Sequence, residues 1–359
     1  MINTYFLAGS AILFILFLVL FLVIRNKARQ LQNVKKQEDR IKRQQLTKTA
    51  NVIKWVSILA LVAVVISGAA ALSKGSAGTN NGSVSEEGVT LPDIHGLGYS
   101  HDGGSIMLPA HDGIKLYSNG KWSEGQVEKH DYMGFSSVND GFYSSGHPAR
   151  GSSKKNPFGI VKSTDGGNSF KILSLYGKVD FHLMSVGFNK HTIYVVNPQS
   201  NSEMKETGIY YSEDEAQTWV KSEMVGFNDE AAALAVHPDN DAIVAIGSQT
   251  GLYISKDYGD NFIKKADFQV TSLNFNLAGK LIVGGYAQGA TLSEMDIESD
   301  EKTAIKIPAL SEDAVMYVAQ NPVDDQELVF ATFNKDVYVS NDRGGNWTKI
   351  ADKGIGISQ

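Results

Sequence analysis

SNDRGGNW, residues 340–347, occurs in related forms four times along this chain. STDGGNSF occupies 163–170, SKDYGDNF occupies 255–262, and SEDEAQTW at 212–219 is a more divergent copy. The shared pattern is Ser-x-Asp, a turn that is usually glycine-containing, and a closing aromatic residue. In a tight hairpin the Asp accepts hydrogen bonds from turn amides, Gly permits positive φ, and the aromatic packs between neighbouring units. The octets therefore predict structural hairpins rather than catalytic sites.

The spacing of the octets predicts the number of units. Their closing aromatics, Phe170, Trp219, Phe262 and Trp347, are 49, 43 and 85 residues apart. Because the last gap is nearly double, we expect a degenerate copy near 304, with AIKIPA (304–309) as its outgoing strand, and an earlier copy in YSNGKW (117–122). Periods in the forties built from short strands are typical of propeller blades. We predict an all-β, six-bladed β-propeller, with a seventh blade completed across the termini as the alternative.

Each repeat divides into four short strands separated by turn residues. Blade four is predicted as 231–236, 242–248, 251–255 and 261–266, and blade six as 314–319, 328–333, 336–340 and 346–351. Asn and Asp beside Pro or Gly mark the turns, and alternating β-branched and aromatic residues mark the strands.

The N-terminal quarter of the sequence has a different character. Apolar runs of 19 residues at Phe6–Ile24 and 18 residues at Trp55–Leu72 are each about long enough to cross a bilayer as a helix. Between them, 25–54 carries ten Lys or Arg against two acidic residues, which places this loop in the cytoplasm. We predict membrane helices in 1–24 and 55–72, a basic loop at 25–54, a flexible linker at 73–92 and a propeller at 93–359. The expected location is the cell membrane, with two spanning helices and the C-terminal domain extracellular.

Composition excludes several functional classes. The chain beyond the basic loop carries 23 basic and 37 acidic residues, which argues against nucleic acid as a partner. The sequence contains no cysteine, which excludes disulfides and thiolate metal sites.

The octets resemble the Asp-box, or BNR, repeat of sialidases, sortilin-type receptors and several bacterial propellers. The stretches at 95–122, 146–148, 159–170 and 180–182 are similar to a bacterial group described as glycosylhydrolase-like. This resemblance implies a propeller and, less specifically, glycoside hydrolysis. A sialidase uses three arginines to bind the substrate carboxylate, whereas this chain has only Arg150 and Arg343 outside 1–54. Sialidase activity is therefore not expected.

Histidines gather where the inner strand of a blade begins and its second strand ends, the face on which propeller sites form. Five of the eight histidines occupy these positions in blades one to three: His95, His111, His130, His147 and His182. Imidazoles without thiolates suit zinc, copper, nickel or non-haem iron, so this set predicts a divalent transition-metal site. The alternative is that these histidines hydrogen-bond neighbouring blades or line a wet channel.

The sequence leaves three functions open. The first is a ligand-binding propeller that holds a metal ion, a cell-surface glycan or a protein at this face. The second is a glycoside hydrolase, which needs two carboxylates; the candidates are Asp131, Asp180 and Glu230, with Tyr99, Tyr132 and Phe181 as sugar-stacking neighbours. The third is a non-catalytic receptor or assembly scaffold.

Overall fold

A computed structural model describes residues 89–124 and 128–358. The predicted membrane helices and basic loop, and most of the predicted linker, lie outside these residues. Within the described ranges, no helix is long and apolar enough to cross a membrane. The described chain folds as 25 strands arranged in six sheets, and these sheets are the six predicted blades. The seventh-blade alternative is not adopted within them.

Every blade is an antiparallel sheet whose first four strands follow chain order outward from the axis. Alternating apolar residues cover both faces of each sheet, because a propeller blade is packed between two neighbours. Blade one contains β1 Gly98–Tyr99, β2 Ile106–Ala110, β3 Gly113–Ser118 and β4 Lys121–Glu124. Blade two contains β5 Asp131–Val138, β6 Gly141–His147, β7 Ile160–Ser163 and β8 Lys171–Ser174. Blade three contains β9 Met184–Val186, β10 Ile193–Asn197, β11 Gly208–Ser212 and β12 Val220–Lys221.

The last three blades repeat this order. Blade four contains β13 Ala231–Val236, β14 Val244–Ser248, β15 Leu252–Ser255 and β16 Ile263–Ala266. Blade five contains β17 Gln269–Phe275, β18 Leu281–Tyr286, β19 Ala290–Met295 and β20 Lys302–Ile305. Blade six contains β21 Val315–Gln320, β22 Leu328–Thr332, β23 Val337–Ser340, β24 Thr348–Asp352 and a fifth strand, β25 Ile355–Gly356. The strands predicted for blades four and six are confirmed, with ends shifted by one or two residues.

The Asp box closes the outer hairpin of a blade through its own side chains. In blade six, Ser340 Oγ donates to Asp342 Oδ1 at 2.8 Å and accepts from Gly344 N at 2.8 Å. The Asn346 backbone N and Nδ2 each donate to the Asp342 carboxylate at 2.7 Å. These hydrogen bonds lower the pKa of Asp342 below its ordinary value. The same pattern recurs around Asp165, Asp214 and Asp257.

Blade five lacks a complete box, as the spacing predicted. Its hairpin is turned by Asp296, whose Oδ1 accepts from the backbone N of Glu298 and Ser299 at 2.9 and 3.0 Å. The outgoing strand begins at Lys302, two residues before the predicted start, and ends at Ile305. Blade one instead uses a two-residue turn at Asn119–Gly120, with φ of 50° and 76°, which is the Asn-Gly chemistry of a type I′ hairpin.

Tryptophans that close outer hairpins tie adjacent blades together. Trp347 Nε1 donates to the Lys306 carbonyl of the preceding blade at 2.7 Å. Trp122 Nε1 donates to the Ile350 carbonyl of blade six at 2.7 Å. One hydrophobic cluster also combines residues of the first and last blades, including Leu108 and Val329. The Trp122 hydrogen bond and this cluster close the ring between blades one and six.

A short N-terminal segment completes this closure. Thr90 pairs with Ile355 of β25, Leu91 N donates to the Gly354 carbonyl at 2.7 Å, and Gly356 N donates to the Val89 carbonyl at 2.8 Å. Leu91 is buried in the cluster shared by the first and last blades. Residues 89–91, which we call the N-terminal clasp, therefore belong to the propeller. This corrects the predicted boundary, because the Gly- and Ser-rich composition of the linker does not extend to these residues.

Leu91→Ala should lower the free energy of unfolding by about 2–5 kcal/mol, because it removes a fully buried side chain from a packed core. Thr90→Ala is the matched control, since the Thr90 side chain is exposed and its pairing uses the backbone. Urea unfolding of both variants measures the difference. Equal stability of the two variants would show that the clasp is part of a tether after all.

Gly344→Ala tests the left-handed turn of the Asp box. Gly344 has φ of 88°, and an added Cβ would lie 2.4 Å from Ile305 Cγ2. We expect a loss of at least about 1–2 kcal/mol in unfolding free energy, the usual cost of a left-handed conformation for a non-glycine residue. Gly289→Ala is the control, because nothing lies within 4 Å of its added Cβ, and thermal unfolding should show no loss there.

Candidate functional site

The face where inner strands begin, which we call the entrance face, collects the ends of several strands around the axis. It surrounds the mouth of a cavity of about 170 Å³ lined by the inner strands of all six blades. In blade one, backbone hydrogen bonds pair the segment before β1 with the end of β2. His95 N donates to the Pro109 carbonyl at 2.9 Å, and His111 N donates to the Asp93 carbonyl at 3.2 Å. The main chain therefore fixes His95 and His111 on adjacent segments.

His95, His111 and Asp131 form a compact cluster, which we call the first cluster. Asp131 is the first residue of β5, so the start of blade two points its carboxylate at the two histidines of blade one. His111 Nδ1 lies 2.8 Å from Asp131 Oδ2, and His95 Nε2 lies 3.4 Å from Asp131 Oδ1. One ligand atom from each residue lies within 4.8 Å of the other two. Three residues from two blades can thus contact one small ion.

Burial distinguishes the members of the first cluster. The Asp131 and His95 side chains are only 8% and 17% exposed, whereas His111 is 68% exposed. Nε2 of His95 and Oδ1 of Asp131 are buried, and neither makes a hydrogen bond to any described residue. Buried polar atoms are costly unless satisfied. These two atoms lie 3.4 Å apart, and a cation bound between them would satisfy both.

His147, Asp180 and His182 form a second cluster between blades two and three. Asp180 Oδ2 lies 3.2 Å from His147 Nε2 and 2.7 Å from His182 Nε2. The opposite ring nitrogen, His147 Nδ1, lies 2.6 Å from Asn156 Oδ1 in the β6–β7 loop. A nitrogen that donates to this oxygen leaves Nε2 as the acceptor, so Asn156 orients the imidazole. The sequence analysis missed Asn156, because nothing in its spacing shows that the loop folds back onto His147.

His130 does not join either cluster, which corrects its place in the predicted metal-ligand set. Its Nδ1 accepts from Ala149 N at 2.9 Å, and its Nε2 lies 2.9 Å from a Glu128 carboxylate oxygen. The ring packs edge-on against Phe158, with centroids 5.1 Å apart. Burial lowers the pKa of His130 below its ordinary value, although the Glu128 carboxylate opposes this. His130 is a buried core residue that links two segments.

The aromatic residues expected to stack on a sugar are buried. Tyr132 and Phe181 are fully covered, and Tyr99 is 2% exposed. Tyr132 packs against Phe142 with centroids 5.9 Å apart, and Phe181 belongs to the cluster between blades two and three. Tyr132 and Phe181 therefore offer no exposed ring face at the entrance face of the described structure. Tyr99 lines the axial cavity instead.

The carboxylates of later blades have local roles. Asp229 accepts from Thr250 Oγ1 at 2.6 Å and from the Glu230 backbone N at 2.8 Å, and these hydrogen bonds lower the pKa of Asp229 to about 2. The Glu230 side chain is exposed in blade four, apart from both His-containing clusters. Asp313 accepts from the backbone N of Ala314 at 2.8 Å and of Asn334 at 3.2 Å. On the entrance face, both His-containing clusters therefore lie on blades one to three.

Comparison with known proteins gives fold-level likeness only. No protein-family model matches this chain, and no curated protein matches it. Among solved structures, a GH74 enzyme from Niastella koreensis superposes with a TM-score of 0.49 at 15% identity, covering 75% of this chain and 46% of that one. YCF48 from Cyanidioschyzon merolae gives a TM-score of 0.43 at 14% identity, covering 74% and 87% of the two chains.

A third similar structure is the extracellular domain of a putative hybrid two-component system from B. thetaiotaomicron, with a TM-score of 0.46 at 13% identity over 76% of this chain and 34% of that one. This chain therefore spans less than half the length of the GH74 enzyme and of this extracellular domain. At such low identities, the likeness concerns the propeller fold and not its chemistry.

His130→Asn should weaken the dependence of stability on pH. A His with a depressed folded pKa contributes stability that is present above its unfolded pKa of about 6.5 and is lost as pH falls, because the unfolded chain binds the proton more readily. Between about pH 7.5 and 5.5, the unfolding free energy of the variant should fall less than that of the wild type. His101→Asn, at an exposed turn, is the control. Parallel pH profiles for wild type and His130→Asn would contradict this interpretation.

Proposed function

We propose that this propeller binds a divalent transition-metal ion through His95, His111 and Asp131, and that the ion forms the ligand-binding centre of the entrance face. The observation that carries the proposal is the convergence of three ligand atoms within 4.8 Å of one another. Two of them, on His95 and Asp131, come from largely buried side chains, so the protein has fixed their position before any ion binds.

The distances suit a small dication. Zinc–ligand bonds of about 2.0–2.2 Å in tetrahedral geometry place ligand atoms roughly 3.3–3.6 Å apart. The His95–Asp131 contact of 3.4 Å already has this length. His111 approaches Asp131 more closely, at 2.8 Å, but its exposed ring can move outward at little cost. Two imidazoles and one carboxylate favour zinc, copper, nickel or iron over calcium or magnesium.

Three protein ligands leave at least one coordination position for water or for a ligand from outside. An ion at this place would contact molecules that approach the mouth of the axial cavity, which His95 also lines. The same ion would neutralise Asp131 in an acidic domain. Recognition of a cell-surface glycan or protein through metal-bound oxygen or nitrogen atoms is the chemistry that this arrangement supports.

Location remains a proposal from the sequence. The two apolar segments and the basic loop between them favour a two-pass membrane protein with the propeller outside the cell. In that setting the metal site would be presented to the extracellular medium, and the ion would be acquired there.

Glycoside hydrolysis through Asp131, Asp180 and Glu230 is supported less well. Asp131 and Asp180 each lie beside two imidazoles, whereas a glycosidase acid is usually held in apolar surroundings. Glu230 is exposed in a different blade, and the sugar-stacking residues are buried. The entrance therefore resembles a metal-binding surface more than a substrate cleft.

The test is metal content of the full-length chain, purified with a tag that contains no histidine. Residues 1–88 contain no His or Cys and should add little background. Asp131→Ala should remove one equivalent of bound zinc, or weaken its binding at least about 100-fold, since loss of a direct ligand should cost no less than loss of a residue that orients one. His101→Ala is the control and should bind like wild type.

Elemental analysis after dialysis against zinc, copper, nickel or iron gives the stoichiometry, and calorimetry gives the affinity. If the Asp131→Ala and His95→Ala variants stay folded and retain the wild-type stoichiometry, the first cluster is not a metal site.

A further inference from the structure

The axial cavity has an uncharged lining in an otherwise acidic domain. Its volume is about 170 Å³, and the inner strands of all six blades contribute to it. The described residues that line it include no Asp, Glu, Lys or Arg, and its two histidines, His95 and His182, lie at the entrance face. An ion that entered would lose its hydration without gaining an opposite charge, which is costly. The lining therefore favours a neutral molecule.

β-Bulges shape the part of this cavity that is nearest the entrance face. In blades four, five and six, the pairing of the first two strands shifts register around Ala232, Thr271 and Met316. Each of these residues is the second or third of its inner strand, and all three line the cavity. A bulge leaves its extra residue without a partner in the ladder and redirects its side chain. The same irregularity in three successive blades therefore sets the width of the cavity below its mouth.

Two hydroxyl groups of the lining have no partner. Ser137 Oγ and Thr271 Oγ1 are buried, and neither makes a hydrogen bond to any described residue, although both residues line the cavity. Ser136 differs, because its Oγ accepts from Val186 N at 3.0 Å. A buried hydroxyl without a partner is costly, and such a hydroxyl can act either as a donor or as an acceptor. A hydroxyl group on a ligand would satisfy this unused capacity.

The end of the cavity away from the entrance face is apolar. Four inner strands, β9, β13, β17 and β21, are each followed two residues later by an apolar residue that lines the cavity: Phe188, Pro238, Leu277 and Pro322. Because burial of aliphatic groups is favourable, these residues suit the hydrocarbon part of a ligand. The cavity thus combines hydroxyl groups with an apolar end and carries no acidic or basic side chain other than the two histidines.

We infer that the axial cavity is a binding site for a small neutral molecule with a short aliphatic chain and at least one hydroxyl group. A protein cavity of roughly 150 Å³ holds one benzene molecule. A cavity of about 170 Å³ therefore has room for roughly six or seven non-hydrogen atoms. This site goes beyond the proposed function, because its binding groups do not include a metal ion.

The experiment is methyl NMR of the full-length chain with labelled methionines, after removal of metal ions with EDTA. Ethanol, 1-butanol and 1-hexanol are the probes. The methyl groups of Met184 and Met316, which line the cavity, should shift on titration. Met107 and Met295, in hydrophobic cores elsewhere, are internal controls and should not. Since each buried methylene strengthens binding about fourfold, 1-butanol should bind at least about 10-fold more tightly than ethanol.

Ala232→Phe tests whether the alcohols occupy the cavity. Ala232 is exposed and lines the cavity, so a phenyl ring at this position should fill the space and abolish the response of Met184 and Met316 to 1-butanol. Ala287→Phe is the matched control, because Ala287 is also exposed, directly after β18, and should respond like wild type. Circular dichroism of both variants checks the fold, and identical preparations equalise any uptake of alcohol by lipid or detergent.

Butyrate and butylammonium test the exclusion of charge with a chain of the same length. Each should bind at least about 10-fold more weakly than 1-butanol, because the cavity would have to desolvate an ion. The inference is overturned if Met184 and Met316 do not respond to alcohols, if the response survives in Ala232→Phe, or if the ions bind as tightly as 1-butanol. These results are obtained without metal, so they leave the proposed function untouched. Failure of the zinc experiment would equally leave this site standing.

Discussion

The hydrogen bonds between each Asp-box carboxylate and its own turn are the constraint on which the other contacts depend. The outer hairpin of a blade has few neighbours beyond it, so its turn amides must be satisfied locally. Asp342 and its equivalents accept hydrogen bonds from these amides. The hydroxyl of Ser340 and its equivalents donates to the carboxylate and accepts from the backbone N four residues later in the turn. This fixes the position of the closing aromatic, which contacts the preceding blade, as Trp347 does through the Lys306 carbonyl.

The entrance face depends on that rigidity because its residues come from separate blades. Asp131 can face His95 and His111 only if blades one and two keep a fixed angle, and Asp180 can face His147 only if blades two and three do the same. Interblade cores, such as the cluster that contains Tyr143 and Val195, maintain these angles. The side chains of the two clusters therefore come together only because separate blades are in contact. The hydrophobic cores between blades and the hydrogen bonds within each blade hold these side chains in position.

The repeat made the fold predictable in detail. The Asp boxes have side chains that satisfy their own turns, so the octet determines its local structure without help from distant residues. The strand positions in blades four and six followed from it, whereas the outgoing strand of the weak copy in blade five begins two residues before the predicted start and ends four residues before the predicted end. The terminal closure was not predicted, because the pairing of Val89 with Gly356 joins residues at opposite ends of the domain and leaves no pattern in either segment.

The candidate site was only partly predictable. Counting positions along each repeat correctly placed four histidines at one face, but it could not tell an outward imidazole from a buried one. His130 occupies an equivalent position and turns into the core, where Phe158 and Ala149 contact it. The side chains of Tyr132 and Phe181 are also buried in the core. The pairing register of a strand determines which of its side chains face inward. A bulge between Met133 and Ser136 in β5 shows that this register changes within a blade.

The N-terminal clasp determines where the chain can be cut without opening the propeller. A protease that cuts the chain after Leu91 would separate β25 from its only described partner on that side and would expose the core shared by blades one and six. A cut before Val89 would leave the pairing of the clasp with β25 intact. Any fragment that keeps blades one and six joined must therefore begin at or before Val89.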